Sequence, residues 1–360
     1  MPAVINRDPL RVALIGYGHG GSVFHAPLIA ATPGLELAAI VTGSADRSER
    51  ARHNFPGATV LASPQLVWEK AAHYDLVVIS TPNRSHVPLG LAALEAGLGV
   101  VVDKPLATSV VDAERLVDAS RRLDCLLTAF HNARWANTFL TTRELIASGM
   151  LGQITRYEAR MDRYRPQPRP GAWRELAEPN EGGGLLLDLG THLIDQAVQL
   201  FGWPRRVYAE VEHRRPGSHV DDDTFVALEF SEVRAHLWMS YVARLPGPAV
   251  RMHGLNGSYE KFAGDPQELA LSSGQRPGEP TWGIEPPDHW GRLSTNVAGL
   301  HVDGRLESQP GAYQLFYAAL RDALHTGGPA PVDPADAIGV LRIIEAARVS
   351  ARTATLREVE

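Results

Sequence analysis

Six residues near the start of the chain constrain its fold more than any others. Gly16-Tyr17-Gly18-His19-Gly20-Gly21 follows the aliphatic run Val12-Ala13-Leu14-Ile15 and precedes a stretch able to form a helix. A G-x-G-x-x-G turn in that setting belongs to a βαβ unit that receives a dinucleotide. Gly16 would permit the tight turn, Gly18 the close approach of backbone to a pyrophosphate, and Gly21 close helix–strand packing. The N–H groups of the following helix would face the anion, and Tyr17 and His19 join the loop as expected cofactor contacts. The competing reading is a glycine-rich turn with no ligand.

The pattern downstream supports a parallel sheet. Short β-branched runs at residues 11–15, 36–41, 76–80, 99–102 and 125–129 alternate with helical stretches at 22–31, 45–54, 85–96 and 111–123. Right-handed crossovers would wind them into an open doubly wound α/β sheet of Rossmann type. After a helix at 137–148 the character changes. Longer strands at 154–162, 206–212, 224–230, 235–242 and 250–253, with turns at Pro216-Gly217 and Asn256-Gly257, suggest a large, mostly antiparallel sheet in an α+β domain. At 360 residues and 44% apolar the chain can fill two cores, so we expect domains at 1–130 and 131–360. Residues 163–172 hold Pro166, Pro168 and Pro170 among arginines and should form an extended arm. Turn residues dominate 265–311, and helical spacing returns at 312–326 and 334–352.

Charge and cysteine content narrow the function. A formal charge of −6 with interspersed signs gives no electrostatic reason to expect nucleic acid. No apolar run approaches membrane-spanning length, and polar residues occupy positions 6–8, where a signal peptide would carry its apolar core. A cytoplasmic location is expected. Cys125, the single cysteine, has no intramolecular partner and reads as a small buried hydrophobe in a reducing compartment.

The second strand should end at Val41-Thr42-Gly43-Ser44, where NAD-binding versions place a carboxylate on the ribose. Here Thr42 and Ser44 offer hydroxyls and Arg47 a guanidinium suited to a 2′-phosphate, so NADP is the expected cofactor, with NAD as the alternative. Arg47 as a plain helix-face arginine is the bland reading. Two further strand ends, Thr81-Pro82-Asn83 with His86 and Asp103-Lys104-Pro105, should border the nicotinamide, because open α/β sheets bind ligands there.

The most informative run in the second half is Glu181-Gly182-Gly183-Gly184-Leu185-Leu186-Leu187-Asp188-Leu189-Gly190-Thr191-His192-Leu193-Ile194-Asp195. On one helix Asp188, His192 and Asp195 would form a polar stripe among leucines, and a cleft explains it better than a solvated face. An enzyme that moves hydride from an alcohol must also take the hydroxyl proton, and His192 suits that at neutral pH. Lys104 could stabilise alkoxide charge, and Asp188 could orient either group or hold a second hydroxyl. A metal held by Asp188, His192 and Asp195 is the weaker alternative, since no second His or Cys cluster accompanies them.

By these motifs the sequence resembles the Gfo/Idh/MocA family of NAD(P)-dependent sugar and polyol oxidoreductases over essentially its whole length. The glycine loop, Thr81-Pro82-Asn83 with His86, Lys104-Pro105, residues 182–192 and the closing helices fall in the family's order. Phe24-His25-Ala26-Pro27, Asn132-Ala133-Arg134-Trp135, Asp265-Pro266-Gln267-Glu268 and Trp282-Gly283 look like the branch that includes NADP-dependent scyllo-inositol dehydrogenases. The resemblance implies that Lys104, Asp188 and His192 are catalytic and that subunits pair through the second domain's sheet as homodimers or homotetramers, while the residues themselves give no reason to expect a metal. It implies an inositol-like polyol or sugar substrate, for which Asn132, Arg134, Trp135, Tyr164 and Trp173 are the candidate lining. Two departures stand out: Asp103 replaces the usual Glu before Lys-Pro, and Ala133 and Ala136 replace two charged positions of the branch. An NAD(P)-sensing regulator and an NAD-dependent glycoside hydrolase are the rival functions on such a fold.

Overall fold

The computed structural model describes residues 4–169, 171, 173–176 and 181–359. Two compact units account for them: Met1–Asn132 with Gln267–Trp282 and Ala312–Ile338, and Ala133–Pro266 with Gly283–Gly311 and Gly339–Glu360. The chain thus enters each unit more than once.

The first unit is built on strands β1 (Leu10–Ile15), β2 (Leu35–Val41), β3 (Thr59–Leu61), β4 (Leu76–Ile79), β5 (Gly99–Asp103) and β6 (Leu127–Phe130). They form one parallel sheet in the order β3-β2-β1-β4-β5-β6. Every residue of β4 is buried and β1 and β5 nearly so, as expected of strands covered on both faces. Each fully enclosed aliphatic side chain contributes about 1.5–3 kcal/mol. The helices are α1 (Ala26–Ala31), α2 (Ala45–Asn54), α3 (Gln65–Trp68), α4 (His86–Glu95) and α5 (Val110–Leu123). Ser44 and Ser109 cap α2 and α5 by accepting from Arg47 N–H and Asp112 N–H. The strand order reverses between β1 and β4, the place where ligands bind in such sheets. Cys125 lies ahead of β6 rather than inside it and is only half-buried, contrary to the expectation of a core residue; burial, then Asp124, raises its thiol pKa.

The second unit carries α6 (Asn137–Ala147), β7 (Ile154–Asp162), α7 (Trp173–Leu176), α8 (Leu185–Asp188), α9 (Gly190–Phe201), β8 (Arg206–Glu212), β9 (Asp223–Glu229), β10 (Arg234–Ser240), β11 (Val250–Gly254) and β12 (Gly257–Lys261). After α10 (Gln267–Ser272), which belongs to the first unit, come β13 (Gly291–Val297) and β14 (Leu300–Leu306). Helices α11 (Gln314–Thr326) and α12 (Pro334–Thr353) and strand β15 (Arg357–Glu358) close the chain. Nine strands form one sheet in the order β14-β13-β12-β11-β7-β10-β9-β8-β15, antiparallel except for the β7–β10 pair. β9 alternates strictly between buried and half-buried residues, so one face packs into the core and the other stays partly open. The open face bears Phe225, His236 and Trp238, with the Arg160 guanidinium 3.8 Å over the Trp238 ring.

The proline-rich arm is extended as expected, with Arg163 and Arg165 N–H groups on the Ser240 and Tyr241 carbonyls. Its Pro170 and Ala172 lie outside the described residues. Five strands went unread in the sequence. β3 and β15 are very short, and β12 to β14 carry glycine and polar residues where an apolar run would have marked a strand.

Candidate active site

In the first unit the glycine loop is held by atoms it lacks. Gly16 has φ 101°, and a β-carbon there would run into the Ser80 carbonyl oxygen; one on Gly21 would run into the Gly16 carbonyl. Gly18 faces nothing within 4 Å, so the loop's outer side is bare backbone. Ser22 closes the turn by donating from N–H at 2.9 Å and from its hydroxyl at 2.7 Å to the Gly18 carbonyl. Residues Gly20–His25 then wind as a wide π-helical turn that leads into α1. Interlocked small residues with an open outer face fit a dinucleotide pyrophosphate. Gly20 was not assigned a role from the sequence, because the fingerprint allows any residue there. Yet a β-carbon on Gly20 would lie 2.8 Å from Asp103 Oδ2 and 2.5 Å from Ser80 Oγ.

The residues flanking the loop divide by exposure. Tyr17 turns into the core, edge-on to Phe55 at 6.5 Å between ring centres, and its hydroxyl accepts from Asn54. His19 stays exposed, 3.2 Å from Glu268 Oε1 on α10. That glutamate closes the Asp265-Pro266-Gln267-Glu268 motif, in a segment where turn residues dominate the sequence. Thr42 is buried and accepts from Ser44 N–H. Arg47 lies exposed in the first turn of α2, and its guanidinium forms no ion pair among the described residues. A cation at that end opposes the helix dipole, by about 0.3–1 kcal/mol, so an anionic ligand is its natural complement.

His86 is fully enclosed, its Nδ1 2.8 Å from the Pro105 carbonyl and its Nε2 3.0 Å from that of Thr81. It ties the turn after β4 to the cis Lys104-Pro105 turn after β5. Around it, Asn83 is buried, Thr81 is half-buried and accepts from the Ser85 hydroxyl at 2.7 Å, and Pro82 is exposed. Lys104 is half-buried, its N–H donating to Asp103 Oδ1 at 2.8 Å. Asn132, half-buried, ends this unit's first segment.

In the second unit the run from residue 181 folds around a buried carboxylate. Gly184 has φ 94°, and a β-carbon there would meet the Asp221 carboxylate, which accepts from Leu186 N–H at 2.7 Å. Desolvation raises the Asp221 pKa. The sequence suggested one helix through the polar stripe, whereas the structure breaks it at Leu189 into α8 and α9, with His192 N–H on the Leu189 carbonyl at 3.1 Å. Leu185, Leu186 and Leu187 enter the core, while Asp188 and His192 remain half-buried. Arg174 Nε lies 3.1 Å from Asp188 Oδ1, and its guanidinium sits 4.4 Å from the centre of the Trp173 ring. Asp195, the third polar residue, is enclosed and takes both arms of Arg134 at 2.8 and 2.6 Å. Arg134 therefore braces α9, a use that the sequence, which grouped it with substrate contacts, did not reveal. Trp135 and Trp173 are half-buried, and Tyr164 is exposed beneath Arg244 at 4.9 Å.

Beside this stripe lies an arginine network. Arg215 is enclosed between Asp222 at 2.9 Å and Glu175 at 2.9 Å, with its guanidinium 4.7 Å from the Tyr241 ring centre. Burial, then Asp188, raises the Tyr241 pKa. A separate cavity of about 490 Å³, lined by Lys261, Phe262, His289, Trp290 and Arg305 among others, contains none of the sequence-predicted site residues. Among the described residues, no three His, Cys, Asp or Glu side chains are arranged to hold a metal.

Comparison with known proteins settles the family. Residues 10–131 match the family model for the NAD-binding Rossmann fold of the Gfo/Idh/MocA oxidoreductases, and residues 143–360 match that for their C-terminal alpha/beta domain. The chain belongs to the Gfo/Idh/MocA oxidoreductase family. Among its relatives, the Escherichia coli oxidoreductase YdgJ is 40% identical, with 96% of this chain and 97% of that protein covered. The Bacillus subtilis scyllo-inositol 2-dehydrogenase (NADP(+)) IolW is 33% identical over 96% and 94%. The solved structure of the Yersinia pestis oxidoreductase YPO2259 superposes with TM-score 0.91 at 37% identity, over 98% of both chains. The chain is accordingly an enzyme of this oxidoreductase family, with an NAD(P)-binding Rossmann unit and a mostly antiparallel second sheet.

Proposed function

We propose that this oxidoreductase transfers hydride between NADP(H) and a secondary hydroxyl or ketone of a cyclic, inositol-like polyol or a sugar. One observation carries the reading: Gly20 abuts Asp103, so the turn suited to the pyrophosphate and the turn bearing Lys104 are neighbours in one unit. Gly16, Gly18 and Gly21 would hold the pyrophosphate, Thr42, Ser44 and Arg47 the adenosine ribose and its 2′-phosphate, and the Thr81 and Pro105 turns the nicotinamide side. When bound, the nicotinamide donates or accepts the hydride. His192 takes or returns the hydroxyl proton, Lys104 stabilises negative charge on the oxygen, and Asp188 orients the imidazole or holds a second substrate hydroxyl. The similarity to an NADP-dependent inositol dehydrogenase supports both the nucleotide and the substrate class. We assign the protein to the cytoplasm as a homodimer or homotetramer. No helix among the described residues is long and apolar enough to cross a membrane.

The test is absorbance at the reduced-nicotinamide band with NADP and NAD in turn, against inositols, aldoses, sugar acids and their keto forms. Turnover with a ring polyol or sugar is expected. Lys104→Ala and His192→Ala should each lower kcat about a hundredfold with nucleotide affinity nearly unchanged. Arg47→Ala should narrow the NADP preference by about ten- to a hundredfold, the size of a lost charge-assisted hydrogen bond. Full turnover in His192→Ala would remove that residue from the proton path.

A further inference from the structure

Below the glycine loop runs a buried polar chain that the reaction scheme above does not use. His25, from Phe24-His25-Ala26-Pro27, has no exposed surface and packs against Phe130 at 4.4 Å between ring centres. Its Nδ1 lies 2.6 Å from the Tyr317 hydroxyl on α11, and its Nε2 lies 3.6 Å from Asp103 Oδ2 with no hydrogen-bond partner of its own. The same Asp103 oxygen accepts from the Ser80 hydroxyl at 3.2 Å, and the other accepts the Lys104 N–H at 2.8 Å. His25, Phe130, Tyr317, Asp103, Ser80 and Lys104 all belong to the first unit.

Electrostatics assigns the proton positions. A bare Nε2 lone pair facing the Asp103 carboxylate would be repelled, which favours a proton on Nε2, and in the tautomer that carries it Nδ1 is the acceptor. Tyr317 is the matching donor, because burial and, next, the Asp103 charge raise its pKa well above the ordinary value and keep the hydroxyl protonated. Asp103 Oδ2 thus takes the Ser80 hydroxyl and faces the His25 Nε2 edge, while the other carboxylate oxygen accepts from the backbone at Lys104.

We propose that His25 is a positioning residue for Lys104: it orients the Asp103 carboxylate through Nε2–H, and Tyr317 holds the imidazole in the tautomer that does so. The proposal rests on the catalytic role given to Lys104 above. It explains why a histidine occupies a fully enclosed site where a leucine would pack without polar cost, and why position 20 bears no side chain against the carboxylate.

Two isosteres separate the ends of the imidazole. Asparagine at position 25 places a polar atom near Nδ1, and glutamine places a donor near Nε2, toward Asp103. With any substrate the wild type turns over, His25→Asn should lower kcat about tenfold while leaving nucleotide KM within twofold, and His25→Gln should lose less than threefold. A second readout needs no turnover. The chain has only three lysines, Lys70, Lys104 and Lys261, and Lys261 is enclosed. After reductive ¹³C-methylation, the Lys104 dimethylamino resonance, assigned through Lys104→Arg, can be followed at pH 7. It should move in His25→Asn and stay in place in His25→Gln. A Lys104 signal that is unchanged in His25→Asn, or that moves equally in both variants, overturns the proposal. A wild type inactive on every polyol and sugar, but with the selective Lys104 shift, would instead overturn the substrate reading and leave the positioning role standing.

Discussion

The two units assemble their candidate site residues by different physics. In the first, Gly16, Gly20 and Gly21 sit where a β-carbon would strike Ser80, Asp103 or the Gly16 carbonyl, and the turns after β4 and β5 are tied through His86 to two backbone carbonyls. In the second, ion pairs set the geometry: Arg174 with Asp188, Arg134 with Asp195, and Arg215 with Asp222 and Glu175. A site shaped by contact should fail abruptly when one atom is added and depend little on pH. A site shaped by charge should fail when a partner is removed, recover when the other partner is neutralised, and respond to acid.

Arg134→Ala is the strongest test of the charge-built half. It leaves Asp195 enclosed without its bidentate partner, and removing one member of a buried pair typically costs about 3–5 kcal/mol. Urea unfolding should show the loss, and Asp195→Asn in the same background should restore most of it. A variant as stable as wild type but with a raised substrate KM would return Arg134 to the substrate side. In the contact-built half, Gly21→Ala puts a methyl group into the Gly16 carbonyl. The NADPH Kd, read by fluorescence titration, should rise at least a hundredfold, equivalent to about 2.7 kcal/mol. A Kd within threefold of wild type would mean that the interlocked turn is not where the nucleotide sits.

The same difference explains what the sequence disclosed. Parallel strands enclosed on both faces appear as unbroken aliphatic runs, so Val77-Val78-Ile79 and Val100-Val101-Val102 announced themselves, and the glycine fingerprint fixed the loop between β1 and α1. The edge of the second sheet did not. β14 has almost every residue exposed, so burial imposed no pattern on it. Long-range ion pairs are equally silent: Arg134 and Asp195 are 61 residues apart, and nothing in either neighbourhood says that one takes both arms of the other. Glycine-free contacts were hidden for the opposite reason. Tyr17 lies inside the glycine motif and was grouped with the cofactor, but its ring fills core space beside Phe55. The break at Leu189 had no proline to mark it, and Gly190 alone does not specify a helix end in a leucine-rich run.

The smallest effect distinguishes the two halves by acid. Glu175 is buried, which on its own would raise its pKa, but hydrogen bonds from Arg169 and Arg215 more than offset this and hold the carboxyl below its ordinary value. A carboxyl with a folded-state pKa below its unfolded one contributes stability that is present above the unfolded value and is lost as pH falls toward the folded value. At pH 7, Glu175→Gln should therefore be less stable than wild type by roughly 1.5–3 kcal/mol, the range for hydrogen bonds to a charged group. As pH falls below the ordinary glutamate value of about 4.3 the gap should narrow, since the wild-type carboxyl then begins to gain its proton and the glutamine has none to gain. Thermal melts at pH 7, 5, 4 and 3 measure it. A gap that stays constant with pH would show that Glu175 acts by shape rather than charge, and the contrast between the halves would then fail at this residue.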